Sequence, residues 1–95
     1  MADLQCPATA ILLDAAAAPP PWLARLQVAG RFEARGSDAV VALVEETADL
    51  CRGEVFVVAA PPADIDQALR TQGIAGTAPI VIDIDSDGWR AVPAP

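Results

Sequence analysis

The sequence contains no histidine, lysine or tyrosine, and its only two cysteines, Cys6 and Cys51, lie far apart along the chain. Those side chains carry out most of the proton transfer, Schiff-base chemistry, metal ligation and thiol exchange in proteins. Asp, Glu, Ser and Thr are present, but no stretch sets them out as a recognisable nucleophile and base. We therefore expect a non-catalytic module that uses no cofactor.

Basic residues are also scarce, since six arginines face thirteen acids and the formal net charge is -7. A nucleic-acid binder needs a basic footprint, so this charge argues against nucleic-acid partners and against other anionic ones. Acidic charge keeps small domains soluble and can steer them toward a basic patch on another protein. The net charge therefore disfavours anionic partners, and it does not by itself indicate which partner the chain binds.

Long apolar runs are missing as well. The run over residues 8–13 is broken at Asp14, and Asp3 is the only charged side chain before it. This pattern matches neither a signal peptide nor a membrane span, so we expect a cytosolic protein that does not bind membranes. In the cytosol, Cys6 and Cys51 are expected to be reduced.

The residues that are present indicate one α/β domain over residues 1–95. Apolar residues make up 54% of the chain and aromatic residues only 4%, so the core must be built from aliphatic side chains. A core of this kind suits short strands packed against helices better than an all-β sandwich.

The first third of the chain predicts a strand followed by an ambiguous segment. Residues 9–14 suit a buried strand, and the prolines at 19–21 favour the start of a helix. We expect that helix to reach about Val28. Residues 26–34, however, also alternate as a strand does, and both alternatives stay open for residues 26–35.

The remaining elements follow from periodicity and turn residues. Ser37 is a natural N-cap for an amphipathic helix that runs to about Cys51 and is ended by Gly53. Residues 54–60 predict an interior strand, and a second helix begins near Asp64 and stops at Gly73.

The last segment predicts a hairpin. Residues 79–84 form a strand, the Asp-Gly pair before Trp89 forms the turn, and residues 89–92 form the final strand. The whole predicts a small α/β sandwich whose mixed sheet carries helices on its faces. The unpaired edge of the last strand suits pairing with a second copy or with a partner chain, although Arg90 and Pro93 also suit blunting that edge.

These elements resemble the thioredoxin-fold family over most of the chain. Residues 10–14 resemble its buried first strand, the segment VEETADLCRGEVFVVAAPPADIDQALRTQGI resembles its helix, strand and helix, and GIAGTAPIVIDIDSDG resembles the loop before its cis-proline with the strand and turn after it. The resemblance implies a thioredoxin-like sandwich and makes the bond between Ala78 and Pro79 a candidate cis peptide.

One departure from the family decides what the resemblance implies about function. Where the family carries Cys-x-x-Cys, this chain has Pro20, Pro21, Trp22 and Leu23, and Cys51 lies at the far end of a later helix. Thiol oxidoreduction is therefore not implied, and a redox-inactive interaction domain is expected to act as an accessory factor, an assembly factor or a small subunit. Its partner-binding residues would lie along the edge where the family has its active site: Pro20, Pro21, Trp22, Thr77, Ala78 and Pro79.

A second, weaker resemblance is to the STAS domains, the anti-sigma factor antagonists. Residues 54–82 resemble the closing strand and helix of that family, and residues 28–34 resemble one of its early strands. The resemblance implies a regulatory domain that is switched by phosphorylation, with Ser37 as the nearest equivalent of the modified serine.

The acidic residues suggest two further functional patterns. The spacing of Asp83, Asp85 and Asp87 matches the opening of an EF-hand loop, but Ala94 stands where a bidentate acid is needed, so we expect no metal site. Asp14, at the end of a buried strand, is the acid on which an enzymatic alternative would depend.

Overall fold

The computed structural model describes residues 7–94, which form a five-stranded mixed sheet with two α-helices. Cys6, and with it the expectation that both thiols are reduced, lies outside the described residues; Cys51 carries a free thiol. The elements in chain order are β1 (Ala8–Asp14), a 3₁₀ turn (Pro21–Arg25), β2 (Gly30–Glu33), α1 (Ser37–Leu50), β3 (Val55–Ala60), α2 (Pro62–Thr71), β4 (Ile80–Asp85) and β5 (Gly88–Val92). The predicted α/β sandwich with a terminal hairpin is confirmed.

The sheet has the strand order β2-β3-β1-β4-β5. Strand β3 pairs in parallel with both β1 and β2, whereas β4 is antiparallel to β1 and β5 is antiparallel to β4. β1 and β3 are apolar along nearly their whole length because both of their faces are covered. The predicted interior position of residues 54–60 is therefore confirmed.

Both α-helices cover one side of the sheet, which we call the helix face. Alternate residues of a strand point to the same side, so this face receives every second residue of β1, β3 and β4. Val40 and Val44 of α1 and Ile65 and Leu69 of α2 are fully buried here. The strand residues packed with them include Ala10, Leu12, Phe56, Val58 and Ile82.

The 3₁₀ turn covers the opposite side of the sheet, which we call the turn face. Leu23 is buried there in a smaller cluster, and Trp22, Leu26 and Val28 pack around it. The strand residues of this cluster are Ile11, Leu13, Val57 and Val81. The chain between β1 and β2 thus crosses the turn face, while the two later crossovers use the helix face.

The helix predicted from the prolines to about Val28 is wrong, because only a 3₁₀ turn forms and it ends at Arg25. Leu26 already has extended backbone angles, with φ -97° and ψ 144°. From Gly30 the chain pairs in parallel with β3, so within residues 26–35 the edge strand covers Gly30–Glu33 and the flanking residues are neither helix nor strand. Pairing with β3 and the strand-like alternation of residues 26–34 favour a strand more strongly than the spacing of Trp22 and Leu26 favours a helix.

The start of α1 also differs from the prediction. Ser37 is the first helical residue, and the cap position belongs to Gly36, whose φ of +91° is disfavoured for residues with a side chain. The stop of α2 is confirmed, since Gly73 has a φ of +75°. The backbone N–H groups of Gly73 and Ile74 donate to carbonyls of the last turn of α2.

Candidate functional site

The six residues predicted to bind a partner belong to the segment that follows β1 and the segment that precedes β4. We call them the proline edge: Pro20, Pro21, Trp22, Thr77, Ala78 and Pro79. Leu12 near the end of β1 pairs with Ile80 at the start of the antiparallel β4. The segment that follows β1 and the segment that precedes β4 therefore meet the sheet at the same end of these two strands. The use of the two segments as one binding surface stays a prediction.

The first segment of the proline edge is partly structural. Pro21 is exposed and Pro20 is half-buried, and the Pro20 carbonyl accepts a hydrogen bond of 3.0 Å from the Leu23 N–H. Trp22 is half-buried and packs against the cluster on the turn face. Its indole thus covers the core from outside and leaves only part of its surface for a partner.

The second segment is more accessible. Thr77 and Pro79 are exposed, Ala78 is half-buried, and the peptide bond between Ala78 and Pro79 is cis, as the thioredoxin resemblance implies. The Thr77 hydroxyl makes only a long contact of 3.4 Å with the Ala78 carbonyl.

The backbone just before this segment has free hydrogen-bonding groups. Within residues 7–94, the N–H groups of Ala75, Gly76 and Thr77 donate to no protein acceptor. Ala75, Gly76 and Thr77 are exposed, and they belong to neither a helix nor a strand. Water takes up such groups in the free protein, and they are open to pairing with another chain.

A cleft of about 540 Å³ lies between this loop and α2. Asp66 and Arg70 line it from the helix, and the loop from Gly73 to Thr77 lines the other side. Neither Asp66 nor Arg70 is among the site residues predicted from the sequence. Their spacing of four on the polar side of α2, ahead of a glycine-rich loop, was the available signal.

Two buried polar atoms in the described part of the chain have no hydrogen-bond partner, namely Asp66 Oδ1 and Trp89 Nε1. Trp89 is only 7% exposed and belongs to the core of the helix face. Trp89 therefore stabilises the core and is not an exposed anchor for a partner on the edge strand β5. Buried unpaired groups of this kind lower stability by their desolvation.

The other predicted residues have structural partners. One carboxylate oxygen of Asp14 accepts a 2.9 Å hydrogen bond from the Ala16 N–H, which closes the turn after β1. Asp64 accepts a 2.8 Å hydrogen bond from the Gly36 N–H. A phosphate on Ser37 would meet the carboxylates of Asp64 and Asp38 as well as the helix dipole, so the phosphorylation hypothesis gains no support from this geometry.

The acids of the hairpin interact with an arginine. Arg90 donates a 2.7 Å hydrogen bond to Asp85, and this bond, helped by the Asp87 N–H, lowers the pKa of Asp85. On the same side of the sheet, Thr9 donates a 2.8 Å hydrogen bond to Asp83. Among residues 7–94, no group of three His, Cys, Asp or Glu side chains is placed to hold a metal ion.

The comparisons with known proteins add no relative. No protein-family model, no curated protein and no solved structure matches this chain. Neither helix of the described chain is both long enough and apolar enough to cross a membrane.

Proposed function

We propose that this chain is a non-catalytic, thioredoxin-like domain of the cytosol that binds another protein through the proline edge. It acts there as an accessory factor, an assembly factor or a small subunit of a larger complex. The observation that carries the proposal is the exposed loop of Ala75, Gly76 and Thr77, whose backbone N–H groups are unpaired and which leads directly into Ala78 and Pro79.

An extended loop with free backbone groups suits pairing with an extended segment of a partner. Main-chain hydrogen bonds supply affinity in that mode of recognition, and neighbouring pockets supply specificity. The cleft beside α2 adjoins this loop through Thr77. Pro21 and Pro79 have fixed φ angles, so ordering them on binding costs little conformational entropy.

The net charge supports the choice of partner. A chain with a charge of -7 is attracted to a basic surface, and the attraction acts mainly on the rate of association. We therefore expect binding to a partner with a basic surface, weakened by added salt because exposed charges are screened.

Affinity capture from the native lysate tests the proposal. Tagged chain is used as bait, retained proteins are identified by mass spectrometry, and Thr77→Arg is compared with Gln27→Arg. Both residues are exposed, both substitutions add the same charged side chain, and only Thr77 belongs to the proline edge. We expect one stoichiometric partner that Thr77→Arg loses and Gln27→Arg retains.

Trp22→Ala serves as a second variant, read together with its thermal stability because Trp22 also covers the core. Recovery of the same partner with Thr77→Arg and with a folded Trp22→Ala would show that the proline edge is not the binding surface. Recovery of the bait alone would contradict the proposal.

A further inference from the structure

A crevice on the turn face arises directly from the topology of the sheet. β1 and β3 are parallel neighbours, yet the chain leaves β1 across the turn face and leaves β3 into α2 on the helix face. Neighbouring strands whose connections diverge in this way open a crevice outside their carboxyl ends, which is where open α/β sheets bind small ligands.

The crevice measures about 220 Å³. Leu13 from β1 and Val57 and Ala59 from β3 give it an apolar floor, and Pro19 forms part of its wall. This volume is below the range typical of drug-sized ligands, so the crevice suits a small ligand.

Charges of both signs line the rim. Arg31 and Glu33 extend from the edge strand β2, and Asp14 lies at the end of β1. Within residues 7–94, Arg31 makes no ion pair and the Glu33 carboxylate accepts no hydrogen bond. Asp14 uses one oxygen for the Ala16 N–H, which leaves its other oxygen available.

We propose that this crevice binds a free aliphatic α-amino acid. The Arg31 guanidinium presents paired N–H donors that match a carboxylate, and the Asp14 and Glu33 carboxylates accept from an ammonium group. The apolar floor takes the aliphatic side chain. The site uses none of the proline-edge residues, so it stands independently of the proposed partner binding.

Titration with L-leucine, followed by amide chemical shifts of the ¹⁵N-labelled full chain, tests the proposal. N-acetyl-L-leucine, which lacks the ammonium, and L-leucinamide, which lacks the carboxylate, are the matched ligands. We expect L-leucine to shift the signals of Asp14, Arg31 and Glu33 in a saturable way. Each blocked ligand should bind about tenfold more weakly, since each loses one charge-assisted contact.

Variants separate the proposed contacts from general charge effects. Arg31→Ala should weaken L-leucine binding about tenfold, Arg31→Lys should weaken it less because it keeps the charge without the paired donors, and Arg35→Ala should leave it unchanged. Arg35 is an exposed arginine outside the crevice. Three results would each overturn the proposal: no saturable shifts up to about 20 mM L-leucine, equal binding of N-acetyl-L-leucine, or unchanged binding by Arg31→Ala.

Discussion

Asp85 is the residue whose environment changes its acidity most clearly. The hydrogen bond from Arg90 lowers its pKa below the ordinary value of 3.8. A lowered pKa means that the pair stabilises the folded chain above the unfolded-state pKa, and that this stabilisation is lost as pH falls through the lowered value. The Asp85 side chain is 18% exposed and that of Arg90 53%, so the effect on stability is small.

The pKa of Asp85 is therefore expected to rise toward 3.8 in Arg90→Ala. A carboxyl ¹³C titration of both proteins measures it, with Asp49 as an internal reference, because Asp49 pairs with Arg52 instead. An unchanged Asp85 midpoint in Arg90→Ala would show that Arg90 is not the cause.

The carboxylate of Asp66 is expected to lower the stability of the folded chain. Its buried Oδ1 has no donor, so removing the carboxylate relieves a desolvation cost, and Ala also favours the helix. We expect Asp66→Ala to raise the free energy of unfolding by about 1 kcal/mol. The exposed neighbour Gln67→Ala should change it by less than about 0.5 kcal/mol, and urea denaturation measures both. A clear loss of stability in Asp66→Ala would reveal a structural partner for this carboxylate.

Individual side-chain roles were only partly predictable from the sequence. The six proline-edge residues came from the thioredoxin resemblance, and chemistry alone would not have selected Ala78. The sequence does not distinguish the environments of Trp22 and Trp89, and only the packing shows that Trp89 is buried in the core while Trp22 is half-buried. The crevice lined by Arg31 was not predictable from the sequence, because it depends on which face of the sheet is covered by the connection after β1 and which by the connection after β3.

A helix or strand is predicted correctly where the sequence carries only one local pattern. The alternating or continuous apolar runs of β1, β3 and β4 and the glycine stop after α2 are predicted correctly from the sequence. The stretch after Pro21 carried helical and strand spacing at once, and pairing with β3 decided between them. That pairing is a long-range interaction, so no local pattern could have settled the choice.

Gly73 gives the prediction at this scale. Its φ of +75° ends α2, and a Cβ added there would meet no atom within 4 Å, so the effect of substitution comes from the backbone alone. We expect Gly73→Ala to lower the free energy of unfolding by about 1 to 2 kcal/mol. Gly73→Asn should cost less, because Asn tolerates this conformation better.

Thermal or urea denaturation of the two Gly73 variants measures the difference. Equal stability of Gly73→Ala and the unchanged chain would contradict the left-handed stop at this position.

For the whole molecule, the sheet joins two separate apolar clusters, one on each of its faces. Trp89 reports on the helix face and Trp22 on the turn face. Both clusters share β1, whose neighbours Leu12 and Ile11 are fully buried on opposite sides. We therefore expect a single cooperative unfolding transition, because both clusters depend on β1 and the loss of either cluster would release that strand.

Urea denaturation of Trp89→Phe and Trp22→Phe tests this cooperativity, since each variant leaves one fluorescent reporter. The fluorescence midpoint of each variant should coincide with its own far-ultraviolet circular dichroism midpoint. If Trp22 fluorescence changed well before the circular dichroism signal, the turn face would be unfolding independently.

Hydrogen exchange gives the sharpest test of the claim that the proline edge binds a partner protein. Exchange is compared for the chain alone and for its complex with the captured partner. In the free chain the unpaired N–H groups of Ala75, Gly76 and Thr77 should exchange rapidly. In the complex we expect strong slowing of these amides, with further protection at Trp22. Unchanged rapid exchange of residues 75–77, with protection confined to the helices or to β5, would contradict the claim.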